Sequence, residues 1–312
     1  MDKAEHQRLI ALIKQASSPL VPKPAPLPHE WERLCYVKPP PGIKAVLFDV
    51  YGTLFCSAAG DISIAAKDTG AKNDALENLA GQYGLSGGQM RSYFKEQVAA
   101  IHRSMEHTSW PEVKVDEIWA DFLSQREVSA HGVSAQRKLL SIKNQRFFMQ
   151  SRELALAYEL AVNPVYPMNG ALQAITSLRE AGIVLGIVSN AQFFTPLLFE
   201  ALLGALPENL GFDPGLLIWS FEHGEAKPSP LLFKKASAQL ETRGIKAAEC
   251  AFVGNDMLSD IYGATSAGFK GILFAGDGRS LRLREDDERT ANLRPSLVIR
   301  SLGELSLNLL SG

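Results

Sequence analysis

The chain has 312 residues, 46% of them apolar and 21% charged, with a formal net charge of −2 at pH 7. That allows one large or two modest domains of ordinary globular composition. The near-neutral balance gives no electrostatic reason to expect nucleic acid or a membrane surface as partner. No apolar run reaches the length of a bilayer span, and the charged stretch Met1 to Ser18 does not read as a secretory signal.

Residues 1–40 divide into an amphipathic helix, with Leu9, Ile10, Leu12 and Ile13 among charges, and a Pro-rich stretch from Ser18 to Pro41. The latter reads as an extended wrap packed on its own domain. A strand over 44–49 follows, apolar until it ends on Asp49. From about Asp61 to Asn163 the pattern is helical. Ala75, Leu76, Leu79, Ala80 and Tyr83 share one face, and Met90, Phe94, Val98, Ile101 and Met105 share another. Asp116 is placed to N-cap a helix carrying Ile118, Trp119, Phe122 and Leu123. A helix over 134–162 stops at Asn163-Pro164. Trp110 and Trp119 read as core of this helical insert.

Helix and strand then alternate. Ala171–Ala181 is helical and closed by Gly182, and Ile183–Val188 is a strand ending at Ser189-Asn190. Leu216–Ser220 is a short strand, Pro230–Leu240 a helix, and Cys250–Val253 a strand ending at Gly254-Asn255-Asp256. Asp260–Ala267 is a helix, and Gly271–Phe274 and Leu297–Ile299 are strands. The pattern predicts an α/β fold: a doubly wound, Rossmann-like, mostly parallel sheet core with an inserted all-helical cap domain. The expected boundaries are 1–40 for the arm, 41–57 with 166–312 for the core, and 58–165 for the cap.

In such a sheet the carboxyl ends of the strands converge on one crevice. Asp49, Ser189-Asn190, Lys227 and the pair Asp256 and Asp260 would therefore meet. Asp49 is a candidate nucleophile. Gly52 lets the chain turn away, and Thr53 offers a hydroxyl and an N–H. Ser189 and nearby backbone N–H groups could hold anionic oxygens of a substrate. Lys227 would neutralise nucleophile and incoming anion. Asp49, Asp256 and the carbonyl of Tyr51 would make an all-oxygen site suited to Mg²⁺, with Asp260 orienting Lys227 or a metal-bound water.

The stretch Phe48-Asp49-Val50-Tyr51-Gly52-Thr53-Leu54 resembles the first motif of the haloacid dehalogenase (HAD) superfamily. Ser189, Lys227 and the segment Gly254-Asn255-Asp256-Met257-Leu258-Ser259-Asp260 resemble its second, third and fourth motifs in order. The resemblance covers about residues 44–302, with the insert placed as in members with a C1 cap. It implies a hydrolase acting on a small anionic substrate through a covalent intermediate at Asp49, with Mg²⁺ held by Asp49, Tyr51, Asp256 and Asp260. Catalytic positions carried over are Asp49, Tyr51, Thr53, Ser189, Asn190 and Lys227.

One departure bears on the reaction. Most phosphatases of the family carry a second Asp two residues after the nucleophile, where this chain has Tyr51, as the dehalogenase branch does. A phenol with an ordinary pKa of about 10 is a poor base near neutrality. The retained acids Asp256 and Asp260 lean the reading toward a Mg²⁺-dependent phosphatase of small phosphorylated metabolites. A 2-haloacid dehalogenase and a non-catalytic HAD-fold binding protein stay open as alternatives, and the oligomeric state is open too.

Some side chains read as structural. Cys35, Cys56 and Cys250 are odd in number and far apart, which suggests a reducing, cytoplasmic location, and Cys56 reads as structural rather than as a catalytic thiol. Arg91, Lys95, His102 and Arg103 lie near one stripe of the insert and read as a solvated face. Arg279, Arg282 and Arg284 are read as paired with the acidic run Glu285-Asp286-Asp287-Glu288.

Overall fold

Ala45–Phe48 (β1) is apolar at every position and fully buried, as a strand covered on both faces must be. It lies at the centre of a six-stranded sheet, seen in a computed structural model that describes residues 2–38, 40–59, 74–131 and 145–310. The other strands are Val184–Ser189 (β4), Phe212–Trp219 (β5), Cys250–Gly254 (β6), Lys270–Phe274 (β7) and Leu297–Ile299 (β8). Their order is β5-β4-β1-β6-β7-β8, and every pairing is parallel. The chain winds from β1 outward through β4 and β5, then crosses to β6 on the other side of β1. The reversal leaves a crevice at the carboxyl end of β1, flanked by the ends of β4 and β6. Helices cover both faces, with Phe233, Phe252 and Leu240 in the core of one side and Phe48, Phe199 and Phe212 in that of the other.

The insert leaves and rejoins the core through a pair of three-residue antiparallel strands, Phe55–Ser57 (β2) and Val165–Pro167 (β3). Ser57 Oγ donates to Asn163 Oδ1 at 2.7 Å and fastens this neck. Beyond it lie the helices Asp74–Gly81, Gly87–Ser104, Val115–His131 and Gln145–Val162. They pack around an aromatic cluster of Tyr93, Phe94, Trp119, Phe122 and Tyr158, with ring centroids 4.8–6.1 Å apart. A second attachment joins the insert to the core. Glu112 N donates to Gly224 O at 3.0 Å and Ala226 N to Trp110 O at 2.8 Å, just ahead of Lys227. Trp110 therefore belongs to this junction and not to the core of the insert; the Arg289 guanidinium lies 5.1 Å from its ring centroid.

The N-terminal helix runs over Lys3–Ala16, capped by Asp2, whose carboxylate accepts from Glu5 N at 2.8 Å. Leu9 and Ile13 are fully buried. The helix sits between Gln145–Val162 of the insert and the core helix Thr195–Leu203. Glu5 and Arg8 pair with Arg152 and Glu153 on one side, and His6 meets Glu200 at 2.7 Å on the other. The Pro-rich stretch then crosses the far edge of the sheet. Lys23 exchanges bonds with Asp277 and Gly278, and Ala25 and Trp31 are buried against Met257, Ile261, Leu273 and Val298.

Several sequence expectations are corrected. Asp116 lies inside the first turn of a helix that starts at Val115, so it is not the N-cap. The helix expected over 134–162 is seen as Gln145–Val162; its first part lies outside the described residues. β5 begins at Phe212, four residues early, because Asp213-Pro214-Gly215 reads as a turn yet is tolerated in an edge strand. The helix expected at Asp260 begins at Met257 as a π-type turn and continues as Gly263–Ser266, with Asp256 as its N-cap. The neck strands and the helices Thr195–Leu203 and Gly303–Leu310 were not expected.

Candidate active site

Asp49 follows the last residue of β1, and its N–H donates to Val253 O at 2.9 Å, which fixes the backbone that carries the carboxylate. Gly52 makes the turn away with φ of +84°, and a Cβ there would stand 2.5 Å from Ser280 Cβ, so both conformation and space require glycine. Ser189, the last residue of β4, donates its hydroxyl to Asp49 Oδ1 at 2.9 Å. Lys227 Nζ reaches the same oxygen at 2.7 Å and Asp260 Oδ1 at 2.6 Å. No protein donor meets Asp49 Oδ2 among the described residues. The nucleophile candidate thus has one oxygen held by two donors and one left for chemistry.

Asn190 positions Lys227 through the backbone: its Oδ1 accepts from Lys227 N at 2.6 Å, and its Nδ2 donates to Lys227 O at 3.4 Å. Burial alone would lower the Lys227 ammonium, but the carboxylates of Asp260 and Asp49 outweigh it and hold the group above the ordinary lysine value. Burial pushes the Asp260 carboxyl up, against the pull of Lys227. Asp260 Oδ2 accepts from Asp256 N at 3.0 Å. Its two oxygens are therefore committed to Lys227 and the backbone, and it orients the lysine.

Asp256 differs from the acid expected at a metal corner. Its Oδ1 accepts from Leu258 N and Ser259 N at 2.8 and 3.1 Å. Arg284 then covers both oxygens: Nε lies 3.2 Å from Oδ1 and 3.0 Å from Oδ2, and Nη2 is 2.6 Å from Oδ2. Arg284 has φ of +54°, a left-handed backbone that a non-glycine residue rarely adopts. The conformation is held by Thr290 Oγ1 and Asp287 N, both donating to Arg284 O. Among the described residues no group of three or more His, Cys, Asp or Glu gathers as a metal site. The donors Asp49, Tyr51 carbonyl and Asp256 suit a hard cation in kind. In this arrangement, however, a guanidinium already serves Asp256, so an ion and Arg284 are alternative partners of that carboxylate.

The remaining expected residues have local roles. Thr53 Oγ1 donates to Asn255 Oδ1 at 3.0 Å, and Asn255 Nδ2 donates to Ser280 O at 2.6 Å, which tie the turn after Asp49 to the end of β6. Tyr51 is buried, its hydroxyl 2.9 Å from Thr195 Oγ1, and burial holds its pKa well above that of an ordinary phenol. Burial likewise pushes the Cys56 thiol up to about 11, far from a reactive thiolate. The cleft is lined by Asp49, Tyr51, Asn190, Lys227, Asn255, Asp256, Ser259, Asp260 and Arg282 and is open to solvent. Ser189 is not in its lining; its hydroxyl serves Asp49 rather than standing open to a substrate oxygen. Arg91, Lys95, His102 and Arg103 do not line it either.

The arginine loop after β7 is where the sequence reading fell short. Arg284 pairs with Asp256 and Arg279 with Asp277, while Asp287 of the acidic run pairs with Arg289. A weak signal existed in the run of alternating arginines after a strand end. Nothing in the spacing said which acid each would meet.

A family model described as haloacid dehalogenase-like hydrolase matches residues 43–268. The chain belongs to this family. Among curated HAD-like relatives, the phosphoserine phosphatase of Thermus thermophilus is 28% identical over 269 residues, 81% of this chain and 95% of that enzyme. The ribulose-1,5-bisphosphate 5-phosphatase of Halopiger xanaduensis is 29% identical over 138 residues, 44% of this chain; the match spans about half of that enzyme, 54%. Among solved structures, the 2-haloacid dehalogenase of Pseudomonas syringae aligns with a TM-score of 0.54 at 17% identity, over 85% of this chain and 97% of that one. That likeness is one of HAD fold. No helix among the described residues is long and apolar enough to cross a membrane.

Proposed function

We propose that this HAD-like hydrolase cleaves small phosphate monoesters through a phosphoryl intermediate on Asp49. The observation that carries the reading is the division of labour on that carboxylate: Oδ1 is held by Lys227 and Ser189, and Oδ2 has no protein donor. Oδ2 attacks phosphorus, the ester P–O bond breaks, and its electron pair leaves with the alcohol oxygen. Water then displaces Asp49 from the acyl phosphate and restores the carboxylate. Lys227 stays charged throughout and offsets the negative charge gathered at the nucleophile.

Phosphatase names among the relatives favour phosphorus over carbon as the centre attacked. Mg²⁺ is part of the proposal; Asp49, the Tyr51 carbonyl and Asp256 would hold it once Arg284 turns away, and it would neutralise charge on the phosphoryl oxygens. The Tyr51 hydroxyl is engaged with Thr195 and stands in for neither the family's acid nor its base, so esters of acidic alcohols, which leave without a proton, are the best substrates. A cytoplasmic setting belongs to the same reading, resting on three cysteines that form no disulfide.

The test is a panel of phosphate esters with Mg²⁺ and with EDTA, using Asp49→Asn as blank. No phosphate release above that blank overturns the reading. Two observations favour a second one, a 2-haloacid dehalogenase: Tyr51 at the acid position, and Asp256 satisfied by Arg284 without an ion. A halide leaving group needs neither proton nor metal. Chloride release from 2-haloacids in EDTA, abolished by Asp49→Asn, would establish it. Turnover in neither assay leaves the HAD-fold binding protein.

A further inference from the structure

We propose that Arg282 selects substrates bearing a second negative charge, a carboxylate or further phosphate beside the reacting ester; this rests on the phosphate-ester reading above. The loop between β7 and β8 holds five arginines. Arg279 pairs with Asp277, Arg284 with Asp256, Arg289 with Asp287, and Arg294 with Glu30. Arg282 meets no carboxylate among the described residues, yet it is the arginine of this loop that lines the cleft, opposite a lysine already shared between two acids.

Its position is built. The backbone of Arg282 forms a parallel bridge with Asp256: its N–H donates to Asn255 O at 2.9 Å, and its carbonyl accepts from Met257 N at 2.9 Å. The guanidinium is anchored by one nitrogen, Nη1, which donates to Arg279 O at 2.7 Å and Leu281 O at 2.9 Å. Nε and Nη2 have no protein acceptor among the described residues. Two free donors on a planar fork whose rotation is already restricted match a carboxylate or phosphate, and the ordering of the side chain is largely complete before the ligand arrives. The reacting phosphorus must stand against Asp49 Oδ2. Arg282 is half-exposed at the rim, where the part of the substrate beyond the ester would extend.

The pair 2-phosphoglycolate and ethyl phosphate tests this, since they share a two-carbon skeleton and differ in the carboxylate. In the full-length protein, Arg282→Gln should lower the ratio of kcat/KM for phosphoglycolate over ethyl phosphate by about tenfold or more, chiefly through KM. Arg282→Lys should recover part of it. A ratio within threefold of wild type, whether both esters fall together or neither does, overturns the proposal. If wild type hydrolyses neither ester, the phosphatase reading is judged separately, by the wider ester panel above. Arg282 is then judged by calorimetric titration of phosphoglycolate into Asp49→Asn with and without Arg282→Gln. About tenfold weaker binding without the arginine supports it; equal affinity, or no binding to either protein, overturns it.

Discussion

Arg284 lays its guanidinium across both oxygens of Asp256, with Nη2 2.6 Å from Oδ2, although the two residues are 28 apart in the chain. An acid at the end of β6 that would otherwise face Asp49 as bare like charge is thereby compensated. On the Mg²⁺-dependent reading proposed above, the ion and Arg284 would compete for that carboxylate.

Arg284→Gln should therefore tighten binding of Mn²⁺ or Mg²⁺ by about tenfold or more, since the ion no longer displaces a charged partner. Calorimetric titration of the metal alone measures this without reference to turnover. Unchanged affinity would show that Arg284 and the ion do not share Asp256.

Tyr51→Phe should leave kcat/KM within about threefold while costing about 1 kcal/mol of stability for the lost hydrogen bond to Thr195. With its pKa held well above the ordinary phenol value, Tyr51 is neutral across pH 6–9 and contributes no limb to the rate profile there. Tyr51→Asp should raise the rate on ethyl phosphate relative to p-nitrophenyl phosphate by about tenfold or more, because an acid then assists the poorer leaving group. Equal effects on both esters would contradict the assignment.

Lys227→Met removes one cation from two buried carboxylates. A loss in kcat of about a hundredfold or more is expected, with a stability loss of about 3–5 kcal/mol. Asp260→Asn leaves Lys227 on Asp49 and should lose less of both. Steady-state kinetics and urea unfolding give the ranking; the reverse order would place Asp260, not Lys227, nearest the chemistry.

Leu9→Ala should cost about 2–5 kcal/mol in urea unfolding, as for other fully buried leucines. A change below about 1 kcal/mol would mean that the N-terminal helix is not part of the cooperative unit.

The central strand was legible because a parallel strand covered on both faces must be apolar throughout, so the first charge, Asp49, marks its end. Ser189 was legible as the polar end of β4, whereas Lys227 and Asp260, which lie past the ends of β5 and β6, were legible through their order along the chain. Elements without such a constraint were hidden. Thr195–Leu203 is apolar nearly all round and shows no helical stripe, and the neck strands are three residues long. The same holds for contacts set by tertiary geometry. The expectation that Arg284 pairs with its acidic neighbours missed Asp256, and that Ser189 faces the substrate missed Asp49. Asp256, expected as a metal ligand, is the N-cap of Met257–Tyr262.

The docking of the first helix has a consequence for how the chain is made. Leu9 and Ile13 are sheltered by Gln145–Val162 and Thr195–Leu203, which leave the ribosome more than a hundred residues later. Until then the helix has no surface to settle on, and its apolar stripe waits in solvent. Docking of this helix therefore waits on segments made well after it, and these two buried side chains are sheltered by long-range contacts.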